Sequence, residues 1–366
     1  MTIHVPFLDL SISNEGERGN LLHAMEKVIR HGRLVMGPEI DQFEAQVASF
    51  CGRRYCVSVG SGTDALFIGL KALRIGQGDE VITTALSWIA TANAIALTGA
   101  TPVFADIGED LNLNPDSVER LITARTRAVL AVDYTGRIAD MEVLSAICER
   151  HSLYLVEDGS QAFGALRNGR RCGSFGIFSA ISHNPMKVFA ALGEAGSILC
   201  DDPELQQRLV ALRYNGTINR ETCIEPSLNG RMDTLQAAVL LQRLNTLDDL
   251  ICRRRENAAY YIDRFGGKLG LPEDAQGEQQ VYYTFTVRTT ERDALEQYLA
   301  ERGIETKVQH RMIMPEHPAY KPARGEYSTA QSLSKTILAL PVHEKLTSFQ
   351  RELVVDAVLG FLTQGR

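Results

Sequence analysis

Hydrophobic positions along the chain recur with two periods. In residues 37–50, GPEIDQFEAQVASF, the apolar side chains Ile40, Phe43, Val47 and Phe50 fall three and four residues apart, the spacing of one helix face. The segment YCVSVG that follows is a short, nearly continuous apolar run, which predicts a buried strand. The alternation then repeats. Strands are predicted at DEVITT, TPVFAD, RAVLAVD and LYLVED. Between them lie helical patterns: TDALFIGLKALRIG ending at Gly76, WIATANAIALTG closed by Gly99, NPDSVERLI and ADMEVLSAICERH. Asn114 stands as a helix cap with Pro115 in the first helical position, where its missing N–H costs nothing. Strands that are apolar throughout and alternate with helices predict a mostly parallel sheet covered on both faces.

The pattern loosens after about residue 200. Residues 231–267 read as one long helical stretch that joins two lobes. Beyond it VYYTFTVRT, DALEQYLAERG, IETKVQ and a closing helix at 347–363 alternate strand and helix again. The expected architecture is α/β: a large domain over residues 1–245 and a smaller α+β C-terminal domain over residues 246–366. A length of 366 residues suits two lobes.

Composition narrows the function. Hydrophobic residues make up 45% and charged residues 23%, values of a soluble globular protein. A net charge of −7 argues against a general nucleic-acid binder. It leaves room for a local basic pocket, for which Arg53, Arg54, Arg167, Arg170 and Arg171 are candidates, while CRRREN at 252–257 reads as a solvated helix face. Seven scattered cysteines with no CxxC pair read as reduced thiols, which predicts a cytoplasmic location. The eight histidines form no HExxH cluster, so no metal site is expected. The first twenty residues lack a basic start followed by an apolar core, and the apolar region 89–105 is broken by Thr, Asn, Gly and Pro. Neither a signal peptide nor a membrane span is expected.

Four local features carry chemistry. Lys187 lies in FSAISHNPMKVFAALGEAGSILC among small and apolar residues, with Glu194 the only other charge. Such a lysine is either at a loop edge reaching water or a nucleophile able to form a Schiff base. VSVGSGTDAL places Gly60, Ser61, Gly62 and Thr63 between a strand and a helix, which is either an anion cradle of backbone N–H groups or a tight turn capped by Thr63. LYLVEDGSQAFGA ends a strand with Glu157 and Asp158. Ligands of open parallel sheets sit at such strand ends, although Asp158 could instead cap a helical SQAFGA. Trp88, the one tryptophan, also follows a strand and is either core or a stacking platform. An anion cradle, a carboxylate, an aromatic and an isolated lysine together fit pyridoxal phosphate, which needs a lysine for its Schiff base and an acid for its ring nitrogen.

With these residues in hand, the chain resembles the DegT/DnrJ/EryC1/StrS family of pyridoxal-phosphate sugar aminotransferases. GTDAL, GDEVIT, ATANAI, VEDGSQAFGA, SFG, NPMKVFAALGEAGSI and NGRMDTLQAAVL occur in the family's order over nearly the whole chain. The resemblance implies the fold-type I transferase fold, with Lys187 as the Schiff-base lysine and Asp158 paired with the pyridine nitrogen. Gln161 would hydrogen-bond the phenolic oxygen, and Trp88 would stack on the ring. Gly62, Thr63 and Ser182 would hold the phosphate, with Asn229 reaching it from the second subunit of a homodimer. The lysine argues against the branch that carries histidine there and acts as a dehydratase. This chain departs from the family pattern at His183 and Asn184 in SHNPMK, at GEAG, and at IMPEHPAY, where Pro315 stands in place of a histidine. The implied reaction moves an amino group from an amino acid, L-glutamate, to a ketosugar, most naturally a nucleotide-linked one. A free cyclitol ketone as acceptor, or a regulatory protein that binds the cofactor without turnover, are the alternatives.

Overall fold

The computed structural model describes residues 4–364. Its centre is a seven-stranded sheet. The strands are β1 (Tyr55–Val59), β2 (Glu80–Thr84), β3 (Thr101–Ala105), β4 (Thr126–Val132), β5 (Tyr154–Asp158), β6 (Phe178–Ser182) and β7 (Gly196–Cys200). Their spatial order is β1-β7-β6-β5-β4-β2-β3. Strands β3, β2, β4, β5 and β6 run parallel, as the apolar runs predict. Only β7 is antiparallel to its neighbours, β6 and β1.

Helices α1 (Glu15–His31), α2 (Pro38–Cys51), α3 (Gly62–Ala72), α4 (Ala90–Leu97), α5 (Pro115–Leu121), α6 (Met141–Arg150) and α7 (Pro203–Arg213) accompany the sheet. Two apolar clusters flank it. One contains Phe43, Val129, Leu144 and Phe189; the other contains Leu66, Ile68, Leu130 and Phe178. The expected pairing of Asn114 and Pro115 holds, since the Asn114 side chain accepts from Asp116 N–H and Ser117 N–H. Helix α1 is not foreshadowed by the strand–helix alternation. Its signal is local: Asn14 caps it by accepting from Glu17 N–H, and Leu21, Ala24 and Val28 form a narrow buried stripe.

Residues 231–267 are not one helix. They form α8 (Thr234–Leu244) and α9 (Leu247–Phe265), separated at Asn245 and Thr246. Asn245 still has helical dihedrals, whereas Thr246 does not, so the axis changes without losing an apolar face. Beyond α9 the chain builds a separate core from Tyr261, Phe285, Leu295, Leu338 and Val354, which also takes in Val5 from the N-terminal segment. VYYTFTVRT yields a strand only at β8 (Phe285–Arg288), because Tyr282 turns the chain with φ 48°. β8 pairs antiparallel with β9 (Ile337–Leu340). IETKVQ makes isolated bridges, Ile304 with Val5 and Lys307 with Ala339. Helices α10 (Arg292–Glu301), α11 (Ser328–Thr336) and α12 (Ser348–Gln364) complete this part. The Asp106 carboxylate, just past β3, accepts from Thr329 N–H and Ala330 N–H and so fastens the start of α11 to the large sheet.

One helix–strand crossing is closer than any side chain allows. A Cβ on Gly69 of α3 would stand 2.3 Å from Phe178 Cζ and 2.4 Å from its Cε2. Gly69→Ala should therefore destabilise the fold by about 1–3 kcal/mol through overpacking. A urea-denaturation midpoint equal to wild type would show that Phe178 swings aside at no cost.

Candidate active site

The parallel strands end at one edge, and the predicted residues gather there. A strand alternates its side chains between faces, so Glu157 and Asp158 cannot both face the same space. Glu157 turns into the core. It accepts from Gly173 N–H at 3.0 Å, from Phe175 N–H at 3.1 Å and from the Ser179 hydroxyl. Asp133 and Cys172 lie beside it, with ligating atoms within 4.8 Å of one another. The Asp133 carboxyl is pushed well above the usual carboxylate range by burial and by the Glu157 charge. The donors around Glu157 tie the 172–175 loop to the strand, and this acid plays no part in the cleft.

Asp158 faces the cleft and is buried. Its Oδ1 accepts from Ser160 N–H at 3.2 Å, and its Oδ2 accepts from Thr91 Oγ1 at 3.2 Å. Burial raises its pKa, while hydrogen bonds from Ser160 and the charge of Lys187 oppose that rise. The SQAFGA segment is a run of turns, so Asp158 caps no helix. Gln161 sits in that turn. Its Oε1 accepts from Thr135 N–H at 3.0 Å, which fixes the amide orientation, because only the oxygen can accept. The amide nitrogen has no hydrogen-bond partner among the described residues.

The glycine turn has the anion-cradle form. Ser61, not Thr63, caps α3 by accepting from Asp64 N–H at 3.0 Å. Gly62 opens the helix directly against Ser182: a Cβ there would lie 2.6 Å from Ser182 Cβ. The turn thus opens a helix start, with its free backbone N–H groups, directly beside Ser182. Lys187 lies in the loop after β6, with its Nζ 4.8 Å from the centroid of the Tyr283 ring. Trp88 is 62% exposed and so is not core. Its carbonyl accepts from Thr91 N–H, which joins it to the residue that holds Asp158.

Asn229 is not brought into this cradle within one chain. It pairs with Tyr214, and its Oδ1 accepts from Arg231 Nε at 2.7 Å, while the adjacent Gly230 carbonyl accepts from Gly60 N–H behind the turn.

The arginine expectation is corrected. Arg53 bonds Asp201 and the carbonyls of Gly173, Phe175 and Gly176. Arg167 is held by Asp140, Glu142 and Glu278. Arg170 and Arg171 lie over the Phe175 and Phe50 rings, and Arg54 lies by Tyr55. These cations are spent on structure. Nor is CRRREN a plain solvated face, since Arg254 is buried against Glu344 and the Tyr282 carbonyl. Lys187 lines a cavity of about 680 Å³ whose charged residues are of both signs: Arg243, Arg253, Arg254 and Lys345 with Asp9, Glu17, Asp249 and Glu344. Sequence reasoning missed Thr91, Tyr134, Tyr283 and His310 around the site. The pairing of Thr91 with Asp158 spans 67 residues and leaves no local signal.

A cradle for a dianion, a buried carboxylate, an amide donor and a lysine, all at one sheet edge, match the phosphate, ring nitrogen, phenolic oxygen and aldehyde of pyridoxal phosphate. Fold and site thus define a pyridoxal-phosphate-dependent aminotransferase. The model of the DegT/DnrJ/EryC1/StrS aminotransferase family matches residues 16–359. The chain is 40% identical over 363 residues to the dTDP-3-amino-3,4,6-trideoxy-alpha-D-glucose transaminase of Streptomyces venezuelae, covering 98% of this chain and 96% of that one. It is 34% identical over 367 residues to a pleiotropic regulatory protein of Geobacillus stearothermophilus, covering 98% and 99%. The solved structure of S. venezuelae DesV in complex with a ketimine intermediate superposes with a TM-score of 0.95 at 39% identity and covers 99% of both chains. The chain belongs to the DegT/DnrJ/EryC1/StrS family and is a sugar aminotransferase.

Two substitutions separate the parts of the site. Gly62→Ala should weaken cofactor binding by more than any loss of stability explains, because the new methyl must displace Ser182 beside the helix start. Titration of the apoenzyme with pyridoxal phosphate checks it, and wild-type affinity would remove Gly62 from the cradle. Asp158→Asn should keep the cofactor yet slow the glutamate half-reaction by about 10²–10⁴-fold, the range typical of a lost proton-holding group. Single-turnover absorbance measures this, and a near-wild-type rate would leave Asp158 a structural acid.

Proposed function

We propose that the protein transfers the amino group of L-glutamate to the ketone of a nucleotide-linked sugar. The observation that carries this reading is Asp158: a buried carboxylate at a strand end, oriented by Thr91 and Ser160 and balanced by the charge of Lys187. The relative from Streptomyces venezuelae, named for a dTDP sugar, supports the choice of acceptor.

In this reading each residue has a defined task. Bound pyridoxal phosphate supplies the electron sink for deprotonation of the donor's Cα. The Asp158 carboxylate holds the proton on the ring nitrogen. Gln161 Nε2 donates to the phenolic oxygen, a role open to it because Thr135 N–H occupies its oxygen. The N–H groups of Gly62 and Thr63, with the Thr63 and Ser182 hydroxyls, bind the phosphate. Trp88 covers one face of the ring. Lys187, as the free amine, would take the Cα proton on Nζ and return it on the far side of the amino nitrogen, at the cofactor's C4′ carbon.

Asn229 would complete the cradle of a second copy, which makes the working form a homodimer. Exposed apolar residues on α1, Leu22 and Ile29, and around the 217–223 hairpin, Ile218 and Ile224, are consistent with a covered surface. The division at residues 245 and 246 into two domains is supported by the break between α8 and α9, with Val5 joining the C-terminal core. Free cysteines, five of them buried, favour the reducing cytoplasm. Among the described residues no helix is long and apolar enough to cross a membrane.

The cavity beside Lys187 suits an anionic acceptor. Arg253 is exposed there and has no ion-pair partner among the described residues, whereas Arg254 is taken by Glu344. Attraction to a pyrophosphate is screened as the Debye length falls from about 10 Å at 0.1 M salt to about 3 Å at 1 M. The acceptor KM should therefore rise with salt more steeply than the glutamate KM. Kinetics with a ketosugar panel across an ionic-strength series test this. A flat response for the best acceptor would remove the nucleotide-sugar reading in favour of a free cyclitol ketone. Absence of any glutamate half-reaction would favour the regulatory reading.

A further inference from the structure

Two adjacent side chains at the site carry polar atoms that no group among the described residues satisfies. Tyr134 is 1% exposed and packs in the apolar cluster that contains Ala85, Leu86 and Ile313. Its hydroxyl is buried without a hydrogen-bond partner, and so is Nε2 of His310. The two rings touch, with centroids 5.8 Å apart at 37°, and Trp88 lies 6.2 Å from His310. Buried polar atoms in native chains are overwhelmingly paired, because leaving one unpaired costs its desolvation. Other buried atoms also lack partners among the described residues, Tyr261 Oη and both ring nitrogens of His343 included; Tyr134 and His310 differ in standing side by side next to Trp88.

The pair is at the binding site. Asp133 N–H donates to the Asp158 carbonyl at 3.0 Å, and Thr135 N–H donates to Gln161, so Tyr134 is flanked by residues that hold two cofactor-facing groups. Thr135 has φ 62°, rare for a β-branched residue, so the backbone next to Tyr134 is strained. Met314 N–H donates to the Ala85 carbonyl at 2.8 Å, which fastens the 310–314 loop to the end of β2 and next to Trp88.

Both groups are neutral. Burial first, then the charges of Lys307 and Lys187, pushes the His310 imidazole down to about 4, and burial pushes the Tyr134 hydroxyl far up. An uncharged phenol donates, and a neutral imidazole nitrogen donates or accepts according to its tautomer. That pairing suits a hydroxyl, which both gives and takes a hydrogen bond. A carboxylate, which only accepts, would use the donors of the pair and leave its acceptor capacity idle, whereas a sugar hydroxyl uses both.

We propose that Tyr134 Oη and His310 Nε2 together read one ring hydroxyl of the acceptor sugar and so determine which ketosugar is used. This rests on the reading of the acceptor as a sugar. The anionic part of the acceptor and the hydroxylated ring are then held by different walls, the first by cations beside Lys187 and the second by this uncharged pair.

The test uses the holoenzyme with Tyr134→Phe and His310→Phe, each against a panel of nucleotide ketosugars that differ by single hydroxyls, plus a phosphate-free cyclitol ketone. Tyr134→Phe removes one oxygen and keeps the packing; His310→Gln returns an amide donor and acceptor. Each Phe variant should raise the KM of the preferred acceptor by about tenfold, the worth of one well-made hydrogen bond. The acceptor lacking the hydroxyl that is read should be used equally by wild type and both variants, and His310→Gln should recover part of the preference. The loss should be confined to the acceptor half-reaction. Unchanged acceptor KM values and an unchanged order of preference in both Phe variants would overturn the proposal. So would a loss that falls equally on the glutamate half-reaction. If wild type uses the cyclitol ketone best, the nucleotide reading fails, and the same variants decide the pair's role on that acceptor.

Discussion

The site depends on a charge that the fold takes out of water. A carboxylate at the end of β5 is stable in that position only with donors on its oxygens and a cation within reach, because desolvation of an unpaired charge costs several kcal/mol. Thr91, Ser160 and Lys187 meet that requirement for Asp158. Each comes from a different part of the chain: the start of α4, the turn after β5 and the loop after β6. The parallel sheet is what lets them meet. Its crossovers return every strand to the same edge, so a helix start, a turn and a loop converge on one carboxylate.

The neighbouring acid shows what the same sheet does with its other face. Glu157 is one residue from Asp158, yet it is surrounded by backbone donors from the 172–175 loop and by Ser179. Its function is to hold the layer beneath the site in place. The cations divide in a similar way. Arg53 and Arg167 are enclosed by carbonyls and acids and hold loops together, while Arg253 stands on the wall of the Lys187 cavity without an ion-pair partner among the described residues. The same cavity also carries Asp9, Glu17, Asp249 and Glu344, so its pull on an anion is local to cations left unneutralised, such as Arg253.

The loops around the cleft are held by long-range backbone bonds. Residues 281–284 bond back to Thr135 and Gly136, and the 310–314 loop bonds to β2. This brings the C-terminal part of the chain, including Tyr283 and His310, over a site whose other groups belong to the large sheet. Binding residues on loops that are pinned to a rigid scaffold keep their geometry while allowing the sequence at the tips to vary. The departure from the family pattern at IMPEHPAY, with Pro315, begins on such a loop.

The amino-acid sequence alone determined the alternation of strands and helices, the parallel core, the turn at Gly62, the strand-end acids and the isolated Lys187. All of these are local, set by hydrophobic period, by glycine and proline, or by the contrast of one charge with its neighbours. The sequence left open which of Glu157 and Asp158 faces the cleft, whether Ser61 or Thr63 caps α3, and which arginines are free. It also ran α8 and α9 together and gave no sign of Tyr134 or His310. The tertiary structure decided these because each depends on partners far away along the chain. The face of a strand residue follows from register within the sheet. The freedom of a cation follows from which carboxylates fold against it. The two orphan polar atoms have meaning only once residues 134 and 310 are placed side by side, which no periodicity in either segment encodes.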